Sequence, residues 1–96
     1  MHSFQQKVYN MVKTIPMGKV ATYASIAARI KKHRAFRAVG SALGKNRSPE
    51  VPCHRVVRSD FAIGGYAGGP KKKMEILKKE GIIISRGKVN KKSLWR

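Results

Sequence analysis

Acidic residues are almost missing from this chain: 96 residues carry 4 Asp+Glu against 22 Lys+Arg, a formal charge of +18 with histidine neutral. Such an imbalance raises the self-repulsion of the compact state. It is most simply explained by a polyanionic partner, nucleic acid first and an anionic membrane surface second. Cysteine is reduced to Cys53 alone. A disulfide framework within the chain is therefore excluded, and a lone thiol suits a reducing, intracellular compartment. No apolar run approaches the roughly 18 residues that argue a membrane-spanning helix. The opening Met1-His2-Ser3-Phe4-Gln5 lacks the charged and then apolar blocks of a secretory signal. The expectation is a cytoplasmic chain, at the nucleoid of a prokaryote, with no membrane partner. Neither an internal repeat nor a low-complexity linker interrupts it. What is present, a hydrophobic share of 42%, supports one domain over residues 1–96 with a small core.

Apolar periodicity organises the first half. Phe4, Val8, Met11, Val12 and Ile15 fall at helical spacing, and Pro16-Met17-Gly18-Lys19 closes that segment as a turn. Thr22 suits the cap of a second helix with Tyr23, Ile26, Ala27 and Ile30 on one face. The basic run Lys31-Lys32-His33-Arg34 then turns the chain into a third helix, with Phe36, Val39 and Leu43 directed inward and Gly44 near its end. Two short helices across a tight basic turn read as a helix-turn-helix, the second being the recognition helix. Residues 45–52 form a loop, since Pro49 and Pro52 both exclude helix. The 53–57 segment is β-prone, Arg58-Ser59-Asp60 is a turn, and Gly64-Gly65-Tyr66-Ala67-Gly68-Gly69 is a glycine-rich loop. Pro70 opens a last helix with Met74 and Leu77 inside, and Gly81 caps it. Residues 82–85 and 88–90 pair as a hairpin across Arg86-Gly87, and Leu94-Trp95 packs the end of the chain. The fold class is mainly α with small β elements, a winged-helix-like helix-turn-helix domain with a C-terminal hairpin.

The chemistry concentrates in Pro52-Cys53-His54-Arg55-Val56-Val57. A thiol is a useful nucleophile as thiolate, and a neighbouring imidazole or cation favours that form. Against this stands the commoner state of a free cysteine, a small buried apolar residue. Adjacent side chains on an extended segment point to opposite faces, so His54 reaches Cys53 only through a water or a local bend. His54 also needs an orienting acceptor, and Glu50, Asp60, Glu75 and Glu80 are the only acids.

Together these residues carry a resemblance to the catalytic domain of O6-alkylguanine-DNA alkyltransferases (methylated-DNA–protein-cysteine methyltransferases). The Pro-Cys-His-Arg-Val-Val block is the family signature. Gly18-Lys19-Val20-Ala21-Thr22-Tyr23, Arg37-Ala38-Val39-Gly40 and the 64–69 glycine loop agree in order and approximate spacing, as do Glu80-Gly81 and the hairpin ending in Leu94-Trp95. The resemblance implies that Cys53 accepts the alkyl group from a guanine flipped out of double-stranded DNA. It implies further that His54 acts through water as base while Glu80 holds the imidazole. Tyr23 helps rotate the nucleotide and donates a proton toward the departing base, Arg37 fills the vacated space in the stack, and Asn46 is a hinge between the recognition helix and the active-site segment. Thr22, Ala35, Ala38 and Gly40 join Arg37 and Tyr23 on the DNA-binding face, small residues permitting close approach to a minor groove. Pro52, Val56, Gly64, Gly65, Tyr66, Ala67 and Gly68 form the substrate pocket, with the Cys53 and Val56 carbonyls accepting from the guanine amine. Neither cofactor nor metal is implied. Without the resemblance, Tyr23 reads as core, Arg37 as a solvated cation or phosphate contact, and Asn46 as a helix-end residue. Glu80 is then an oddly placed carboxylate near a helix C-terminus, where acids are disfavoured.

Several departures from the family pattern stand out. Most members carry an additional N-terminal domain, so the expectation is a minimal monomeric member or one domain of a longer or fused polypeptide. Ala67 occupies a position where many members place a serine, and the loop from Asn46 to Cys53 is slightly short. Phe36 is bulkier than the usual small residue and either wedges in the groove or packs inward, the spacing with Val39 and Leu43 favouring inward. Two other classes compete. Alkyltransferase-like proteins recognise alkylated guanine and hand it to excision repair without reacting, but they commonly replace the cysteine that this chain keeps. A basic helix-turn-helix regulator or RNA binder explains the charge and not the Pro-Cys-His-Arg block with its glycine loop.

Overall fold

The computed structural model describes residues 3–66 and 68–95. Helix α1 spans Phe4–Val12 and starts at Ser3, whose hydroxyl accepts from the Gln6 amide at 3.1 Å. Val8 and Val12 are buried on its inner side, and Ile15, just past its end, is buried with them. The 16–19 turn leads to β1, Ala21–Thr22, which pairs in parallel with β2, Val56–Val57, in the register Ala21↔Val56 and Thr22↔Val57. Helix α2, Tyr23–Arg29, begins in a reciprocal capping box: Thr22 Oγ1 accepts from the Ser25 amide at 3.0 Å and Ser25 Oγ from the Thr22 amide at 2.9 Å. The basic turn follows, and α3 runs over Phe36–Gly44.

Helices α1, α2 and α3 pack on one another around Val8, Val12, Ile26, Ala27, Val39 and Leu43. The Tyr9 hydroxyl donates to the Ala42 carbonyl at 2.7 Å across that bundle. The other half of the chain builds a second core. Helix α4, Pro70–Lys79, packs Leu77 against Val20, Val57, Ile63, Ile82 and Val89. Gly81, at φ +89°, ends it as the sequence predicts. The hairpin is β3, Ile84–Ser85, with β4, Lys88–Val89. Arg86 and Gly87 both adopt positive φ, the conformation that a two-residue primed turn requires. The Trp95 amide donates to the Val20 carbonyl at 2.7 Å, and the Arg29 guanidinium stacks 3.6 Å from the Trp95 ring centre. Four helices with small strand pairs around a helix-turn-helix are the architecture expected from the sequence. Among the described residues no helix is long and apolar enough to cross a membrane.

Two expectations are corrected. Phe36 does not turn inward with Val39 and Leu43. The buried stripe of α3 is Val39, Ala42 and Leu43, and Phe36 stands at its rim in the first helical position, 43% exposed. The 53–57 segment is extended only at Val56–Val57, because Cys53–Arg55 closes a 3-10 turn with the Arg55 amide on the Pro52 carbonyl at 2.9 Å.

Lys73 is fully buried on α4, four residues before Leu77 on the same face. Its Nζ donates to the Val56 carbonyl at 2.6 Å and the Gly65 carbonyl at 3.1 Å, tying α4 to β2 and to the glycine loop. Burial lowers its amine from the ordinary 10.5 to about 8, opposed in part by the attraction of a Cys53 thiolate. The folded state therefore binds fewer protons than the unfolded chain between those two values. The burial penalty is complete below pH 8 and fades as pH rises toward 10.5. The stability of the unsubstituted chain relative to Lys73→Met is expected to rise across that window by up to about 3 kcal/mol. Denaturant unfolding of both chains at several pH values checks this, and a flat or falling difference contradicts it.

Candidate active site

Cys53 opens the 3-10 turn immediately ahead of β2, with its amide on the Val51 carbonyl at 2.8 Å. The thiol is free and partly buried. It faces a cleft of about 210 Å³ lined by Tyr23, Gly40, Leu43, Gly44, Cys53, Gly65 and Tyr66. The turn supplies the local bend that an extended segment lacks. Its cause is Pro52, which cannot donate to a ladder and whose carbonyl instead closes the turn on Arg55.

His54 Nε2 lies 3.0 Å from Glu80 Oε2. Arg55 grips the same carboxylate as a fork, Nε to Oε1 at 3.0 Å and a terminal nitrogen to Oε2 at 2.7 Å. Its other terminal nitrogen reaches the Ile15 carbonyl at 2.9 Å, anchoring the turn to the end of the α1 segment. Burial alone raises the Glu80 pKa, but the hydrogen bonds from Arg55 and His54 outweigh it and hold the carboxyl below its usual range. Glu80 is thus an acceptor at neutral pH. A neutral His54 then donates through Nε2–H and keeps its lone pair on Nδ1. The His54–Glu80 contact is the one that the resemblance implies, and the Arg55 fork is an additional partner. The signal for that partner was available, since a carboxylate at a helix C-terminus needs a cation.

Tyr23 is the first residue of α2 and half-buried, at the wall of the cleft with its hydroxyl beside Gly64 of the glycine loop. Burial first, and then the charge of a Cys53 thiolate, raise its hydroxyl pKa, with Arg58 acting in the other direction. The phenol is therefore protonated and able to donate at neutral pH. Gly64, at φ +76°, is strained for any other residue and tightly placed: a Cβ there would stand 3.1 Å from the Tyr23 hydroxyl and 3.2 Å from Arg58 Cγ. Gly40, Gly44 and Gly65 differ, because a Cβ at each would meet nothing within 4 Å. Packing within the chain does not demand glycine at these positions, and all line the cleft.

Asn46 is buried just beyond α3. Its Oδ1 accepts from the Ser48 amide at 3.0 Å, and its Nδ2 donates to the Ser48 and Val51 carbonyls at 3.2 and 3.3 Å. It thereby shapes the whole loop between α3 and the Cys53 turn.

The remaining expected residues divide. Arg37 and Ala38 are exposed on α3, and Gly40 faces the cleft. Ala35 precedes the helix as its N-cap. Thr22 is buried with its hydroxyl committed to the α2 cap, which keeps it off the exposed face. Of the expected pocket, Gly65 and Tyr66 line the cleft, whereas Pro52, Val56, Gly64 and Gly68 do not; Ala67 lies outside the described residues. The Val56 carbonyl, expected to meet the base, already accepts from Lys73. Leu43 and Gly44 were not anticipated as lining. They enter because the end of α3 runs alongside the thiol.

Residues 3–82 match the family described as 6-O-methylguanine DNA methyltransferase, DNA binding domain. The chain is 46% identical over 79 residues to the regulatory protein Ada of Salmonella typhimurium, an alignment that takes in 81% of this chain and 22% of that protein. Among solved structures, Atl1 of S. pombe in complex with damaged DNA containing O6-carboxymethylguanine superposes with a TM-score of 0.87 at 31% identity, covering 100% of this chain and 99% of Atl1. OGT of Mycobacterium tuberculosis in complex with DNA gives 0.78 at 41% identity, covering 83% of this chain and 50% of OGT. The chain spans half or less of the length of the first curated relatives that it matches, from 22% to 48%. With the family match extending over residues 3–82 and thus through the Cys53 turn and Glu80, the chain belongs to the 6-O-methylguanine DNA methyltransferase family.

Proposed function

We propose that this chain repairs double-stranded DNA by taking the alkyl group of an O6-alkylguanine irreversibly onto Cys53. The observation that carries this reading is the meeting of Cys53 and Tyr23 in one cleft, with the adjacent His54 clamped by Glu80 and Arg55. In the reaction, the Cys53 proton passes by way of a water to His54 Nδ1. The thiolate attacks the alkyl carbon, a sulfur–carbon bond forms, and the carbon–O6 bond breaks. Its electron pair stays with the guanine, which is neutralised by a proton from the Tyr23 hydroxyl. No cofactor is required, since the aryl ether already activates the alkyl group. Placing the base in the cleft requires its extrusion from the duplex, at a few kcal/mol, less for a damaged pair. Arg37 fills the space left behind, and the excess of cations holds the phosphates.

The superposition on Atl1 over the full length of both chains favours a second reading, damage recognition without transfer. Cys53 separates the two by experiment. Incubation with duplex containing O6-methylguanine is expected to add a single methyl to the intact mass, once per chain and without turnover, because a thioether has no leaving route. Cys53→Ser is expected to abolish the addition while leaving duplex affinity nearly unchanged. Absence of the adduct on the unsubstituted chain, with affinity retained, selects recognition alone.

Affinity for unmodified duplex is expected to fall steeply with salt, with a log–log slope of about −0.9 per phosphate neutralised and about four to six phosphates contacted. Titrations from low to physiological salt measure the slope, and a flat dependence counts against the electrostatic reading. Arg37→Ala is expected to reduce base extrusion, followed by a fluorescent base analogue at the target, more than it reduces overall affinity.

A further inference from the structure

One turn of α3 from the cleft, the surface carries an aromatic ring that the core does not use. Phe36 is 43% exposed in the first position of the helix. With Tyr23, Arg58, Ser59 and Asp60 it lines a second, shallow cavity of about 300 Å³, and Tyr23 is the wall shared by this cavity and the Cys53 cleft. The Arg37 guanidinium lies 6.0 Å from the Phe36 ring centre. Lys31, Lys32, His33 and Arg34 precede the ring and are all exposed, as is Arg58 beside the cavity. The acid at this corner, Asp60, is paired with Arg58 at 3.3 Å.

An aromatic ring set among cations suits an occupant with flat apolar faces held in an anionic frame, and a base stack between phosphates is that. The spacing agrees. Phe36 directly precedes Arg37 on α3, and side chains that fan out from neighbouring helical positions suit neighbouring base steps, about 3.4 Å apart. We propose that Phe36 is a stacking wedge that enters the base stack about one to two steps from the extruded nucleotide, while Arg37 fills the vacated position itself. The proposal rests on the DNA-repair reading above and adds to it a second point of contact with the bases. The cavity between Phe36 and the 58–60 turn gives the displaced step its room.

The test uses the whole chain in a Cys53→Ser background, so that no transfer intervenes, with duplex carrying O6-methylguanine and 2-aminopurine two steps away. Phe36→Ala is expected to weaken binding by about tenfold and to lose the rise in 2-aminopurine emission, with the salt slope unchanged because no phosphate contact is removed. Phe36→Trp is expected to retain affinity, its indole emission quenched on binding beyond the change seen from Trp95 alone. Thermal melts by circular dichroism establish that all variants fold. Unchanged affinity and 2-aminopurine signal in Phe36→Ala overturn the wedge and leave the ring for another partner, such as an acidic protein surface. A weakened Phe36→Ala with a shallower salt slope also overturns it, since the ring then acts by positioning Arg37. If the Cys53→Ser chain itself shows no salt-dependent duplex binding, the DNA-repair reading fails instead, and the two failures are distinct.

Discussion

The half-buried carboxylate of Glu80 holds together the parts of the molecule that matter for chemistry. It accepts from Arg55 twice and from His54 once, and Arg55 extends the connection to the Ile15 carbonyl. The end of α4, the Cys53 turn and the segment after α1 thus meet at one group. Desolvating a carboxylate is costly, and an unpaired one at a helix C-terminus would be more so. Charge-assisted hydrogen bonds in fork geometry offset that cost where a single neutral donor would not. The geometry of His54, and with it the direction in which its free nitrogen points, follows from this contact.

A chain with 4 acids for 22 cations can pair few of its positive charges with carboxylates as it pairs Arg55 with Glu80. It uses backbone carbonyls and an aromatic face. Lys73 is held by Val56 and Gly65, Arg47 by Gly44 and Asn46, and Arg29 by the Trp95 ring and carbonyl. A carbonyl dipole satisfies a donor without cancelling its charge. The fold is therefore stabilised locally while the field outside stays strongly positive, which a polyanion would meet at a distance of about a Debye length.

Much of the architecture was legible in the sequence because it rests on local rules. The Thr22 cap, the Pro70 start and Gly81 end of α4, and the Arg86-Gly87 turn each depend on a few neighbouring residues. The failures share a different cause. Phe36 matched the apolar period of α3, yet it stands at the helix start, where no preceding turn lies beneath it. Cys53 looked extended because valines follow it, while Pro52 bent the chain locally. Lys73 and Arg55 read as two cations among many, and only tertiary placement shows one inside the protein and the other locked to Glu80. At the site, the pairing of His54 with Glu80 was readable through the family resemblance. The lining of the cleft by Leu43 and Gly44 was not, since it depends on how α3 lies against the Cys53 turn.

The short parallel pairing of β1 with β2 has a consequence for how the molecule comes apart. Ala21 and Val56 belong to the helical core, whereas their neighbours Val20 and Val57 belong to the core under α4. Each strand is a party wall, with alternate side chains serving opposite rooms. Neither half can loosen without stripping one face of the wall that the other half leans on, so the two cores should melt as one cooperative unit. The thiol sits at the end of that wall, in the turn leading into β2, which places it at the seam of a two-core cooperative fold rather than on a loop that opens by itself.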